Sequence, residues 1–329
     1  MTDSVLDCLK CQCLSSRYDN CGAEESRMTS ATFLLRDNLF RCGRKHVELS
    51  WPRCNDTSVT LRQNTFQDSI YYAAVSLYLP NVPLIHITEN TFVDLQGSAL
   101  FLHLFDAVDS DSHSVVISDN VFRAVGKLGR PYSYVVSVYC DSGRETAHLA
   151  HALNISLTRN DFYLNLASST VLTSCAGLLL TENVFANPDA RHEYDIRVAY
   201  EDVTVMFAPL NFWNATTFDE IAERIYDYKD DEYTAYVQVS PWYLDQNRSQ
   251  TASGGNEFFK GPFEIGGRME MDITLSNTEQ PYRVSGNIVI PRGRSLLIES
   301  GVTLLFAYGS IIVEGEFGIR NNFAHLMSH

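Results

Sequence analysis

One set of residues in this chain has types and spacing that could do acid–base chemistry. The position just before a recurrent asparagine reads Asp37, Gln63, Glu89, Asp119, Arg159 and Glu182. In a chain wound so that these positions stack, Glu89 and Asp119 become neighbours, with Arg159 next in line. Two carboxylates about 5 to 9 Å apart, or acidic calcium ligands beside a basic group, are what a glycosidase or a polysaccharide lyase requires. Against this chemistry, the same positions sit at a turn, where mixed charges are ordinary, and no cleft-forming insertion flanks Glu89. No residue is therefore assigned as catalytic, and an enzyme stands as the alternative.

The remaining clusters point to metals more weakly. Cys8 and Cys11 have C-x-x-C spacing, but no second such pair follows to complete a zinc site, so local disulfides among Cys8, Cys11, Cys13 and Cys21 are expected. Asp106, Asp109, Asp111 and His113 form an acidic turn without the glycine of a calcium loop, which reads as solvated. His148 and His151 lie in an insertion, Ser142–Ala152, and would share a metal only if helical, with no third ligand evident. No cofactor or metal is expected.

What must position these residues is a repeat. The pattern apolar, any, apolar, two polar, Asn, any, Phe occurs at Ile85, Ile87, Asn90 and Phe92, and again around Asn38, Asn64, Asn120, Asn160 and Asn183. The asparagines are separated by 26 (38 to 64), 26 (64 to 90), 30 (90 to 120), 40 (120 to 160) and 23 (160 to 183) residues, and 28 further on (183 to 211) comes Asn211-Phe212-Trp213. Periods of this size mean a solenoid or a propeller. The apolar residues five and three places before each Asn share one side of an extended chain, the two-residue period of a strand with one buried face. A second alternation follows at Val75, Leu77, Leu79, at Leu100, Leu102, Leu104, at Val136, Val138, Cys140 and at Val171, Thr173, Cys175.

Two or three short strands in about 26 residues leave no room for a long helix or for the four strands of a propeller blade. The expected fold is all-β, a right-handed parallel β-helix of the pectin-lyase-like kind. In it, Asn is expected to take the left-handed turn conformation and to bond to the Asn one coil away, about 4.8 Å along the axis, while Phe stacks on Phe inside. Cys140 and Cys175 occupy the same place on adjacent coils, which suits either a disulfide or a stacked pair of buried thiols. Cys42 and Cys54 bracket the connection between the first two coils and are placed to pair. Tyr78, His103 and Tyr139 fall on an outer face, where they either cover the sheet or bind glycans.

Composition bounds the setting. The net charge is −15 with pI near 5.0, which argues against nucleic acid or an anionic membrane surface as partner and names no other. No run of 18 apolar residues is present, and the first residues do not open a signal peptide. Eight cysteines and four Asn-X-Ser/Thr sites, at Asn55, Asn154, Asn214 and Asn247, nevertheless suggest an extracellular chain, a piece of a longer secreted or membrane-anchored protein. The expected organisation is a Cys-rich segment over 1–30, a β-helix with its cap over 31–245, a linker over 246–281 and the start of a second β-helix over 282–329. Within the cap, Thr217-Phe218-Asp219-Glu220 is a capping box that opens a short helix.

The Asn-X-Phe coils, the closing Asn211-Phe212-Trp213-Asn214 with its helix and Ser240-Pro241-Trp242, and the restart at Ile298-Glu299-Ser300-Gly301-Val302 resemble the bark beetle (Anakonda) family of tricellular junction proteins. The likeness covers roughly residues 32 to 320. Members of that family are large single-pass membrane proteins with repeated extracellular β-helix modules. The resemblance implies a non-catalytic role at cell–cell junctions. It also implies partners among other cell-surface proteins, or the same protein on a neighbouring cell.

Overall fold

The computed structural model describes residues 4–7, 14–17, 31–43, 46–50, 57–69, 73–80, 84–105, 114–126, 133–141, 154–175, 178–187, 194–198, 205–227, 230, 234–253, 258–261, 263–269, 271–277, 280–314, 316–319 and 325–328. Most of these form a parallel β-helix of about eight turns whose strands belong to three long sheets. Each coil runs through a strand of sheet C, such as Leu84–Thr88, turns at the Asn, continues in sheet A with Thr91–Leu95, and crosses to sheet B with Leu100–Phe105. It then enters sheet C again one layer on, at Ser114–Ser118. Alternation explains the layers: Ile85 and Ile87 point into the core and are fully buried, while His86 and Thr88, which alternate with them, face out.

Parallel register is kept through the stack. Phe40 pairs with Phe66, Phe66 with Phe92, Phe92 with Phe122, Phe122 with Phe162 and Phe162 with Phe185. The described residues of segment 1–30, which was expected to lie outside the repeat, instead extend it. Ser4–Asp7 pairs with Asn38–Gly43 in sheet A, and Leu14–Arg17 pairs with Val47–Ser50 in sheet B. Cys8, Cys11, Cys13, Cys21 and Cys54 lie outside the described residues, as does the side chain of Cys42, and so does the expected Cys42–Cys54 pairing.

The C-terminal end of the stack is closed by the helix α1 (Phe218–Ala222). Thr217 caps it with both halves of a capping box, and Ile221 on its inner side is fully buried. Trp213 ends the aromatic stack on Phe185, and Phe212 bridges Val184 on one side to Tyr243 on the other. Trp242, just beyond, is buried in the same core. The terminal coil therefore presents a helix and two tryptophans where an open sheet edge would otherwise recruit another chain.

A second stack follows, and it begins earlier than the sequence suggested. Segment 246–281, expected to be a linker, holds Thr251–Ala252, which pairs antiparallel with Trp242–Tyr243, and then Phe259–Gly261, Glu264–Arg268 and Ile273–Leu275. The last two pair in parallel with Tyr282–Ile290 and Ser295–Ile298. These strands enclose a separate core built on Phe258, Ile265, Val284, Ile288 and Leu296. The long strand Tyr282–Ile290 bends at Gly286 (φ 147°), where the next coil lays Gly309 (φ 100°) against it. A Cβ on Gly309 would sit 2.4 Å from the Gly286 carbonyl, so this corner accepts only glycine.

Candidate functional site

The turn between sheets C and A carries every charged residue of the candidate acid–base row. The left-handed conformation there belongs to the residue before the Asn. Asp37, Gln63, Glu89, Asp119, Arg159, Glu182 and Leu210 all have φ between 54° and 58°, whereas the ladder asparagines are not among the left-handed residues. The expectation that Asn itself takes this conformation is thus corrected. Asn is required for its amide, because the turn leaves backbone groups that only a side chain with two donors and two lone pairs can satisfy.

Each interior Asn does this in the same way. Asn120 Oδ1 accepts from the backbone N–H of Asn90 at 2.9 Å and from its Nδ2 at 3.0 Å. Asn120 Nδ2 in turn donates to the Ile87 carbonyl at 2.8 Å and to Asn160 Oδ1 at 3.0 Å. The row runs unbroken from Asn38 through Asn64, Asn90, Asn120, Asn160 and Asn183 to Asn211. Two residues on, the phenylalanine rings stack with centroids 4.8 to 5.1 Å apart.

On the outside of the turn the carboxylates are tied to arginines of neighbouring coils. Glu89 accepts from Arg62 at 2.8 Å, and Asp119 is held bidentately by Arg159 at 2.8 and 2.9 Å, with Glu182 at 3.7 Å on the other side of Arg159. The Arg159 hydrogen bond holds the Asp119 carboxyl below its ordinary pKa, while Asp119 raises that of Arg159. Glu89 and Asp119 are stacked as expected, but each faces its own arginine. Such an arrangement favours the ionised form at Asp119, the wrong direction for a proton donor.

A second polar assembly was not foreseen. At the corner between sheets A and B an inward column runs His46, Ala74, Ala99, Val135, Thr170, Asp195, all buried. It is apolar in the middle and polar at both ends. At the C-terminal end Asp195, fully buried, accepts from Thr170 and Asn187 and is paired with Arg224, whose guanidinium also reaches the Asn187 carbonyl. Asn165 stacks on Asn187 in a short second amide row, Nδ2 to Oδ1 at 3.1 Å. Being only two coils deep, this row leaves no periodic trace in the sequence. At the other end His46 lies beside Phe40 and Phe66, with no hydrogen-bond partner on either ring nitrogen among the described residues. Burial pushes its pKa down to about 4.

On the outer face of sheet B, Tyr78, Phe101, His103 and Tyr139 form a half-exposed cluster with ring centroids 5.5 to 6.4 Å apart. Further along the sheet, Arg197 lies 4.7 Å over the Tyr226 ring. Burial raises the pKa of the Tyr139 hydroxyl.

Of the expected modification sites, Asn154 starts a sheet C strand and is exposed, as are Asn214 beside Trp213 and Asn247 in a turn held by Asp245. Asn55 lies outside the described residues, as do the acidic turn at Asp106–His113 and the histidines His148 and His151. Cys140 and Cys175 form a disulfide, with α-carbons 5.0 Å apart on adjacent coils. Among the described residues no three His, Cys, Asp or Glu side chains converge on a metal site, and no helix is long and apolar enough to cross a membrane. No protein family, curated protein or solved structure matches the chain.

Proposed function

We propose that this β-helix is a non-catalytic extracellular scaffold of a cell–cell junction or adhesion protein, of the bark beetle (Anakonda) kind. The observation that carries the reading is the fate of the turn carboxylates. Glu89 and Asp119, the best-spaced acids for cleaving a polysaccharide, are each committed to an ion pair with an arginine of a neighbouring coil. A stack of parallel coils with a closed end and a second stack after it presents long sheet faces, which suits holding partners at fixed spacing. The disulfide and the exposed Asn154, Asn214 and Asn247 sites agree with an oxidising, extracellular setting.

The test pairs binding with turnover. Beads or cells carrying the chain are expected to bind other cells, and the double variant Glu89→Gln, Asp119→Asn is expected to bind equally well. Incubation with acidic and neutral polysaccharides, with and without calcium, is expected to release no new ends. Turnover that falls roughly a hundredfold in the double variant would establish an enzyme instead. The ring cluster on sheet B favours one second reading, a glycan-binding module, because exposed aromatic faces can pack against the apolar faces of sugars. A glycan array with Tyr139→Ala as control separates that reading from protein adhesion.

A further inference from the structure

The outer face of sheet C differs from the rest of this acidic molecule. Its central row reads Leu34, Thr60, His86, Val116, Ser156, Leu179 across six strands in register. The row beside it adds hydroxyls and an amide around one aliphatic residue: Thr32, Ser58, Leu84, Ser114, Asn154. Leu34 is 60% exposed, Leu179 40% and Leu84 36%, so three of the seven large exposed hydrophobic residues among the described residues lie on this one face. Its only charged side chains among the described residues are Arg36 and Arg62 at the turn edge. Both are already paired, Arg36 with Asp37 and Arg62 with Glu89.

From this we infer that the outer face of sheet C is a self-association surface, on which a second copy of this chain packs face to face about a two-fold axis. It rests on the adhesion reading above and names the partner. Charge selects the occupant. A chain of net charge −15 repels its own copies over most approaches, and a face with no unpaired charge among its described residues is where two copies can touch without opposing carboxylates. The face is self-complementary in chemistry, with aliphatic and hydroxyl groups meeting their like, and the flat six-stranded sheet matches the geometry of sheet-on-sheet packing. Size sets the strength. Five interstrand steps of about 4.8 Å by five residues of about 3.3 Å give about 400 Å² of flat surface, hence about 800 Å² for two copies, below the roughly 1,200 Å² of a stable complex. The pair is therefore weak and reversible in solution and becomes effective where many copies face one another.

Asn154 stands at the edge of this face, so the test uses the full chain made without N-linked sugar. In sedimentation equilibrium the weight-average mass is expected to climb from that of one chain, 37.1 kDa, towards twice that value between about 10 μM and about 1 mM. Val116→Glu, and independently Ser156→Glu, place like charges near the two-fold axis and are expected to weaken association at least tenfold. Thr91→Glu, which adds the same charge on the outer face of sheet A, is expected to change nothing. All three keep the circular dichroism melt of the parent. A parent that stays monomeric at about 1 mM, variants that associate like the parent, or a Thr91→Glu effect equal to that of Val116→Glu would each overturn the proposal. Cell binding distinguishes this failure from that of the adhesion reading. Binding that survives Val116→Glu leaves adhesion standing without sheet C, whereas dimers that form without any cell binding leave sheet C standing without adhesion.

Discussion

Replacing Asn90 by Ala removes five hydrogen bonds at a position that is 1% exposed. Its Nδ2 donates to the Leu61 carbonyl at 2.8 Å, to the Thr88 carbonyl at 3.0 Å and to Asn120 Oδ1 at 3.0 Å. Its Oδ1 accepts from Asn64 N–H at 2.9 Å and from Asn64 Nδ2 at 3.0 Å. Alanine leaves both Asn64 donors and the Leu61 carbonyl without these partners inside the stack. At about 1 to 1.5 kcal/mol for each of these three groups that lose a partner, the loss is about 3 to 5 kcal/mol. At the half-exposed end of the row, Asn38→Ala is expected to cost only about 1 kcal/mol, because water replaces the lost partners. The assay is urea denaturation followed by far-ultraviolet circular dichroism, with hydrogen exchange at the Asn64 amide, since a solenoid can open locally before it unfolds throughout. An unmoved midpoint together with an Asn64 amide as protected as in the parent would refute the amide-row account, as would equal losses at Asn38 and Asn90.

Three further outcomes are expected. His46 falls from 6.5 when unfolded to about 4 when folded, so its burial costs nothing above pH 6.5 and increasingly destabilises the fold as pH drops towards 4. By pH 5 the parent is expected to have lost about 2 kcal/mol that His46→Phe retains, and parallel pH profiles in urea titrations would contradict this. Removing the Cys140–Cys175 bond, which closes a 35-residue separation, by the double substitution to Ser is expected to lower stability by about 3 to 4 kcal/mol; thiol titration of the denatured parent is expected to find these two blocked. Gly309→Ala forces a Cβ against the Gly286 carbonyl at a left-handed φ and is expected to destabilise the second stack by roughly 2 kcal/mol or more, read as early loss of protection in 282–313 while the first stack stays protected.

The fold was legible because its two principal rows repeat one residue type at one offset. Asn90 and Phe92 recur as Asn120 and Phe122 whatever lies between. The left-handed turn position was not legible, because Glu89, Arg159 and Leu210 share a backbone conformation and no side-chain chemistry. The N-terminal extension escaped notice for a related reason: Ser4–Asp7 and Leu14–Arg17 pair through their backbones and carry no Asn or Phe at the expected offset. The start of the second stack was hidden as well, since Ile265 and Ile273 sit among glycines, methionines and charges that read as a connection. Stacking of Glu89 on Asp119 followed from the period, but their capture by Arg62 and Arg159 depends on side-chain reach across coils, which spacing does not encode.

The turn with the amide row also keeps one length throughout the first stack. From the first inward residue of sheet C to the Asn is five residues in the coils of the first stack, as in Val59 to Asn64, Val115 to Asn120 and Leu178 to Asn183. From that Asn to the first inward residue of sheet B the count is 11 (64 to 75), then 10 (90 to 100), then 16 (120 to 136). The amide row thus acts as the spine of a book, and the variation in length falls on the connections away from it. One residue added at the spine would break the Asn and Phe rows together, whereas lengthening one of those connections costs only about 0.6 kcal/mol per doubling. Extra residues at those connections can add new surface, coil by coil, without disturbing the Asn and Phe rows.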